Sequence, residues 1–129
     1  MKKYLLVSLM LLTFVCTSFA QKKAQIKFEK TSINLGTFSE NNPVQKCVFK
    51  FTNTGDAPLI INQAVASCGC TVPKYTKAPI QPGEKGEIVV TYNGKGKFPG
   101  HFKKSVTIRT NGEVEMTRLY IEGVMEEAQ

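Results

Sequence analysis

The feature that most constrains this chain is a period-two alternation of apolar and polar residues in short runs. From Gln45 to Thr52, Cys47, Phe49 and Phe51 fall on one face, with Lys46 and Lys50 on the other. From Phe102 to Thr110, Phe102, Lys104, Val106 and Ile108 alternate with Lys103, Ser105, Thr107 and Arg109. Successive side chains of an extended strand point to opposite faces, so each run has one face to bury and one to wet. No amphipathic helical stretch of useful length competes with these runs. Such a chain must pair its runs into sheets and stack the sheets face to face.

Weaker runs complete the pattern. Ile26 to Glu29 alternates, and Ile33 to Phe38 continues it after a break at Thr31-Ser32. Pro58 to Ala66 reads as a strand with an apolar start. Ile88, Val90 and Tyr92 share one face of the run from Glu87, and Leu119 and Ile121 are the inward residues of a run from Val114 to Val124. Lys104 is expected near a sheet edge, where its ammonium reaches water. Pro73 lacks an N–H, so any strand through it is expected at an edge. Turn chemistry marks Glu40–Pro43, Asn53–Asp56, Ile80–Lys85 and the glycine-rich Asn93–Gly100. Asn111-Gly112 predicts a type I′ hairpin. About seven short strands with this turn spacing predict an all-β, Ig-like β-sandwich, which we place over residues 26–124. The chain has no tryptophan, so the buried tryptophan of antibody-type domains is not available. Residues 21–25 are expected to fray, and Met125 to Gln129 to form a loose acidic tail.

The N-terminus reads as a signal for export. Lys2 and Lys3 precede an apolar run from Leu5 to Val15, too short to span a bilayer, and Ser18-Phe19-Ala20 offers small residues for cleavage. Residues 1–20 are therefore expected to be a signal peptide. Cys16 admits a rival reading as a lipidated N-terminus, but Phe14 and Val15 stand where small residues are expected. The net charge is +7, and loss of Lys2 and Lys3 leaves +5. The remaining lysines are scattered, no nucleic-acid signature is present, and an exported chain rarely meets nucleic acid. A solvated basic surface is the reading we take.

Reactive chemistry is concentrated in Ser67-Cys68-Gly69-Cys70-Thr71. With Cys47, three cysteines follow the signal segment, an odd count in an oxidising compartment. Residues two apart in an extended strand lie about 6.6 Å apart at Cα, at the upper limit for a disulfide. Gly69 would permit the sharper turn that a Cys68–Cys70 bond needs. Such a pair would be strained and exchange-prone, which points to a small thiol oxidoreductase or isomerase. Two thiolates could instead hold copper(I) or zinc, with Cys47 or the sole histidine, His101, as a third ligand. A structural role is the third reading: Cys47 bonded to Cys68 or Cys70, or all three packed at a strand end. A cysteine kept for pairing with another chain is the fourth. Cys47 shares the face of Phe49 and Phe51 and is expected in the core.

The order Asn53-Thr54-Gly55, Ser67-Cys68-Gly69-Cys70-Thr71, Ile80-Gln81-Pro82-Gly83, Thr110-Asn111 and Ile121-Glu122-Gly123-Val124 resembles a family of secreted bacterial proteins of unknown function. That family is related to the Hydin-type and major-sperm-protein-like Ig domains. The resemblance spans nearly all of the chain after the signal segment. It implies a seven-stranded Ig-like sandwich and export, and it brings no established activity from which catalytic residues could be carried over; no cofactor is expected. Enzymatic alternatives find little in the residues. One histidine and no nucleophile elbow leave no serine hydrolase, and Glu113 and Glu115, beside a turn, are expected to be solvated. The expected function is a non-catalytic binding or structural module of the cell envelope. Its expected partner is another envelope protein, with membrane contact only through the signal segment. The alternative is a thiol-based redox or soft-metal protein.

Overall fold

The computed structural model describes residues 22–128; residues 1–20, expected to be a signal peptide, and Cys16 among them lie outside it. Eight strands follow in order: β1 (Ile26–Phe28), β2 (Ser32–Ser39), β3 (Val44–Asn53), β4 (Ile61–Ala66), β5 (Thr71–Tyr75), β6 (Lys85–Asn93), β7 (Gly100–Thr110) and β8 (Met116–Glu126). Among the described residues there is no helix. The strands form two four-stranded sheets, ordered β1-β3-β6-β5 and β2-β8-β7-β4. Every pairing is antiparallel except that of β2 with β8. This is the expected Ig-like sandwich.

The eighth strand arises because the first run changes sheets at its break. The Glu29 N–H still donates to Lys50 in the first sheet at 3.0 Å, whereas the Thr31 carbonyl accepts from Tyr120 in the second at 2.8 Å. Beyond the switch, Ile33 pairs with Ile121. Pro73 pairs with Val90 in an edge strand, as its missing donor requires.

The alternating faces meet between the sheets. Phe49 and Phe51 of β3 and Ile88, Val90 and Tyr92 of β6 pack with Val106 and Ile108 of β7 and Leu119 and Ile121 of β8. Leu59, Ile88, Ile108 and Leu119 are wholly inaccessible, and side chains of this size contribute about 1.5–3 kcal/mol each on burial. Lys104, on the inward face of β7, is only half-buried. At the end of the sandwich where β6 finishes, the Tyr92 ring stacks on Phe102, centroids 4.0 Å apart, and Phe38 meets Phe102 edge-on at 5.8 Å.

Four local expectations are corrected. Residues 22–25 are not frayed: the Lys23 carbonyl accepts from Asp56 at 2.8 Å, the Gln25 carbonyl from Thr54 at 2.9 Å, and Ala24 is buried. Polar composition hid this anchoring, which is made by backbone groups. Met125 is likewise no part of a loose tail, being buried within β8. The run from Pro58 begins as a strand only at Ile61, and Leu59 forms an isolated bridge to Ile80. Nor is Asn111-Gly112 a two-residue type I′ turn. Five residues, 111–115, connect β7 to β8, and neither Asn111 nor Gly112 takes the positive φ that such a turn requires. The Asn111 side chain is committed elsewhere: it accepts from the Ile60 N–H at 2.8 Å and donates to the Pro58 carbonyl at 3.0 Å.

Candidate functional site: the cysteine turn between the sheets

Ser67 to Cys70 form the turn that carries the chain from β4, an edge of one sheet, to β5, an edge of the other. Its entry is fixed by Ser67, whose N–H donates to the Ser105 carbonyl at 2.8 Å and whose Oγ accepts the Ser105 N–H at 3.1 Å. Its exit is fixed by the Cys70 carbonyl, which accepts the Asn93 N–H at 2.8 Å. Within the turn the Thr71 N–H reaches the Cys68 carbonyl at 3.3 Å. Thr71 Oγ1 lies 3.8 Å from Cys68 Sγ and 3.7 Å from Cys70 Sγ.

Cys68 and Cys70 are bonded to each other, with Cα atoms 5.3 Å apart, well inside the extended-strand spacing. Of the pairings open at the level of sequence, this excludes Cys47 as a partner. Gly69 needs no glycine-specific conformation, because its φ is not positive, and a Cβ there would meet nothing within 4 Å. The turn itself brings the cysteines together. Cys70 is buried in the core cluster, while Cys68 is half-buried at its margin.

The remaining candidates stand apart from the pair. Cys47 is free, on the inward face of β3 opposite Val90. Burial pushes its thiol up from 9.0 to about 11, so it is overwhelmingly protonated at neutral pH. His101 is not in a turn but in β7, exposed on the outward face of the other sheet, with Nε2 3.5 Å from a Glu122 carboxylate oxygen. The sheet that carries His101 therefore lies between it and the inward Cys47. Among the described residues no three histidine, cysteine or acidic side chains converge as a ligand set. Burial also pushes the Tyr92 hydroxyl above its usual value of 10.0.

Two features near the turns escaped sequence reading. Asn53, read as a turn residue, is fully buried. It donates from Nδ2 to the carbonyls of Ala57 at 2.8 Å and Ile80 at 2.9 Å, and it accepts at Oδ1 from Gly55 at 2.9 Å and Gln25 at 3.3 Å. Phe98, in the glycine-rich stretch marked by turn chemistry, is 97% exposed. Alternation locates strands but is blind to both.

The fold and this turn define a two-sheet Ig-type domain with a cysteine-closed crossover. By sequence, the chain belongs to the family described as "Protein of unknown function (DUF1573)", which matches residues 26–125. No curated protein matches it significantly. In structure it is similar to a protein of unknown function from Porphyromonas gingivalis W83, with a TM-score of 0.71 and 15% identity over 87% of this chain. It spans about half of that protein's length (51%). It is also similar to the ASH/PapD-like domain 7 of human CEP192, with a TM-score of 0.66 and 9% identity, covering 93% of this chain and 99% of that one. The Pseudomonas aeruginosa CupB2 chaperone gives a TM-score of 0.54 and 12% identity, covering 80% of this chain and 56% of the chaperone. At these identities the likeness concerns the fold alone.

Proposed function

We propose that this chain is an exported, non-catalytic Ig-like binding or structural module of the cell envelope. Its partner is another envelope protein, held by addition of an extended segment to a sheet edge. The observation that carries this reading is the open sandwich, which leaves unpaired strand edge at the margins of both sheets. Likeness to PapD-like and chaperone domains is compatible with it as fold-level analogy. Export rests on the basic and apolar pattern of residues 2–20. The test is in-cell cross-linking and affinity capture of the tagged chain beside a C68S/C70S variant. A discrete envelope protein captured by both supports the module, and capture by neither, or by wild type alone, contradicts it.

A thiol-based function is the second reading, and the observation favouring it is the juxtaposition of Cys68 and Cys70. Less speaks for it. Among the described residues no helix N-terminus lies beside the pair to lower a thiol pKa, and Cys70 is buried. As a disulfide the two sulfurs are not thiolate ligands for a soft metal.

A further inference from the structure

Each terminal strand of the two sheets carries a device that discourages further pairing. β1 has three residues, β5 contains Pro73, and β2 and β4 each break register, between Asn34 and Thr37 and between Ile61 and Gln63. One stretch of edge has no such irregularity. β4 pairs with β7 only from Val106 to Thr110, and the cysteine turn then carries the chain to the other sheet. The first half of β7, Gly100 to Lys104, keeps an unbroken register with β8 but has no strand on its other side.

The alternation of an antiparallel ladder gives the direction of its free groups. The Ser105 N–H and C=O both point to the β4 side, where they meet Ser67. Residues two and four positions earlier, Lys103 and His101, point the same way. Among the described residues no backbone group meets them there. Four main-chain groups in register therefore face the side from which the chain departs at the cysteine turn. Half-buried Phe102 and Lys104 face inward beside that edge, and Lys103 and His101 line its outward side.

We propose that this edge, resting on the binding-module reading above, takes an extended acidic segment of a partner protein, which continues the column of β4 alongside Gly100–Lys104. Charge selects the occupant. A second copy pairing β7 antiparallel with β7 through these groups would set Lys103 opposite Lys103 or His101 of the other chain, and neither offers the lysine a carboxylate. A segment alternating acidic and apolar residues would instead place its carboxylates on the outward face beside Lys103 and its apolar side chains on the inward face against Phe102.

The test follows backbone amides by NMR in the whole exported chain during titration with a short synthetic peptide alternating Glu and Val. A peptide alternating Lys and Val is the control. The expected result is shifts centred on residues 100–104, with exchange of the His101 and Lys103 amides slowed by about tenfold or more at saturation. The control should leave them unmoved. K103P removes an N–H that bonds nothing and should weaken binding by about tenfold or more. K103E, which leaves the backbone intact, should also weaken the acidic peptide. No shift at His101 and Lys103, shifts centred on β4 or β5, or equal binding of both peptides overturns the proposal. In cells, a partner captured equally by wild type, K103P and K103E would leave the module standing and remove this edge as its site.

Discussion

Ser67 and Ser105 bond to each other twice, the Ser67 N–H to the Ser105 carbonyl at 2.8 Å and the Ser105 N–H to Ser67 Oγ at 3.1 Å. The second bond uses a side chain where a strand would use its backbone, so the β4–β7 ladder stops there. Everything distinctive about this end of the sandwich follows from that stop: the cysteine turn, the change of sheet and the open half of β7.

The cysteine arrangement predicts a specific thiol count. Denatured and alkylated without reduction, the chain from residue 21 onward should gain one adduct, at Cys47, and after reduction three. Peptide mapping should find Cys68 and Cys70 linked. A bond through Cys47 would contradict the structure.

Cys47 should also be slow to react in the folded protein. With its thiol pushed up to about 11, its thiolate fraction at pH 8 is about a hundredfold below that of a thiol at 9.0, so alkylation should slow accordingly. The same shift has a sign for stability. Above pH 9 the unfolded chain ionises Cys47 while the folded chain does not, so stability should fall as pH rises from about 9 to about 11. Tyr92 acts in the same direction, so the informative quantity is the difference between wild type and Cys47→Ala. Parallel pH curves for the two would refute this assignment.

Asn53→Ala should cost about 3 kcal/mol or more, because it strands the Ala57 carbonyl and the Gln25 and Gly55 N–H groups and removes one of the two bonds to the Ile80 carbonyl. Asn53→Asp should not rescue it, since a carboxylate cannot donate to the Ala57 and Ile80 carbonyls. Urea unfolding of the variants measures both. A loss below about 0.5 kcal/mol for Asn53→Ala would remove the residue from the account.

Two glycines should respond oppositely. A Cβ on Gly55 would overlap the Lys23 carbonyl oxygen and the Gln25 backbone nitrogen, backbone atoms that cannot swing aside as a side chain could. Gly55→Ala should therefore detach the segment before β1 and destabilise by about 1–3 kcal/mol. Gly69→Ala meets open space and should change stability by less than about 0.5 kcal/mol, with the Cys68–Cys70 bond still forming. Equal effects would mean that the turn does depend on glycine.

How much of this was legible beforehand depends on the kind of signal each element leaves. β3, β6 and the second half of β7 were readable because one buried face imposes strict alternation on Cys47–Phe51, Ile88–Tyr92 and Val106–Ile108. Pro73 marked an edge because a missing donor has one consequence in any sheet. The anchoring of residues 22–25 and the wide β7–β8 loop were not readable, since both rest on backbone groups and on side chains reaching residues distant in sequence. Asn111 favoured a tight turn by local chemistry, but bonding to Pro58 and Ile60 prevailed. The cysteine pairing stayed open for the same reason, as spacing permits several bonds and the crossover selects one.

The most direct measurement of the central claim is the affinity of the captured envelope partner for wild type and for C68S/C70S, both folded by circular dichroism. A binding module should hold the partner with dissociation constants within about threefold of each other, a difference of less than ~1 kcal/mol. Loss of binding or activity in the folded double variant would contradict the account and place the function in the cysteines themselves.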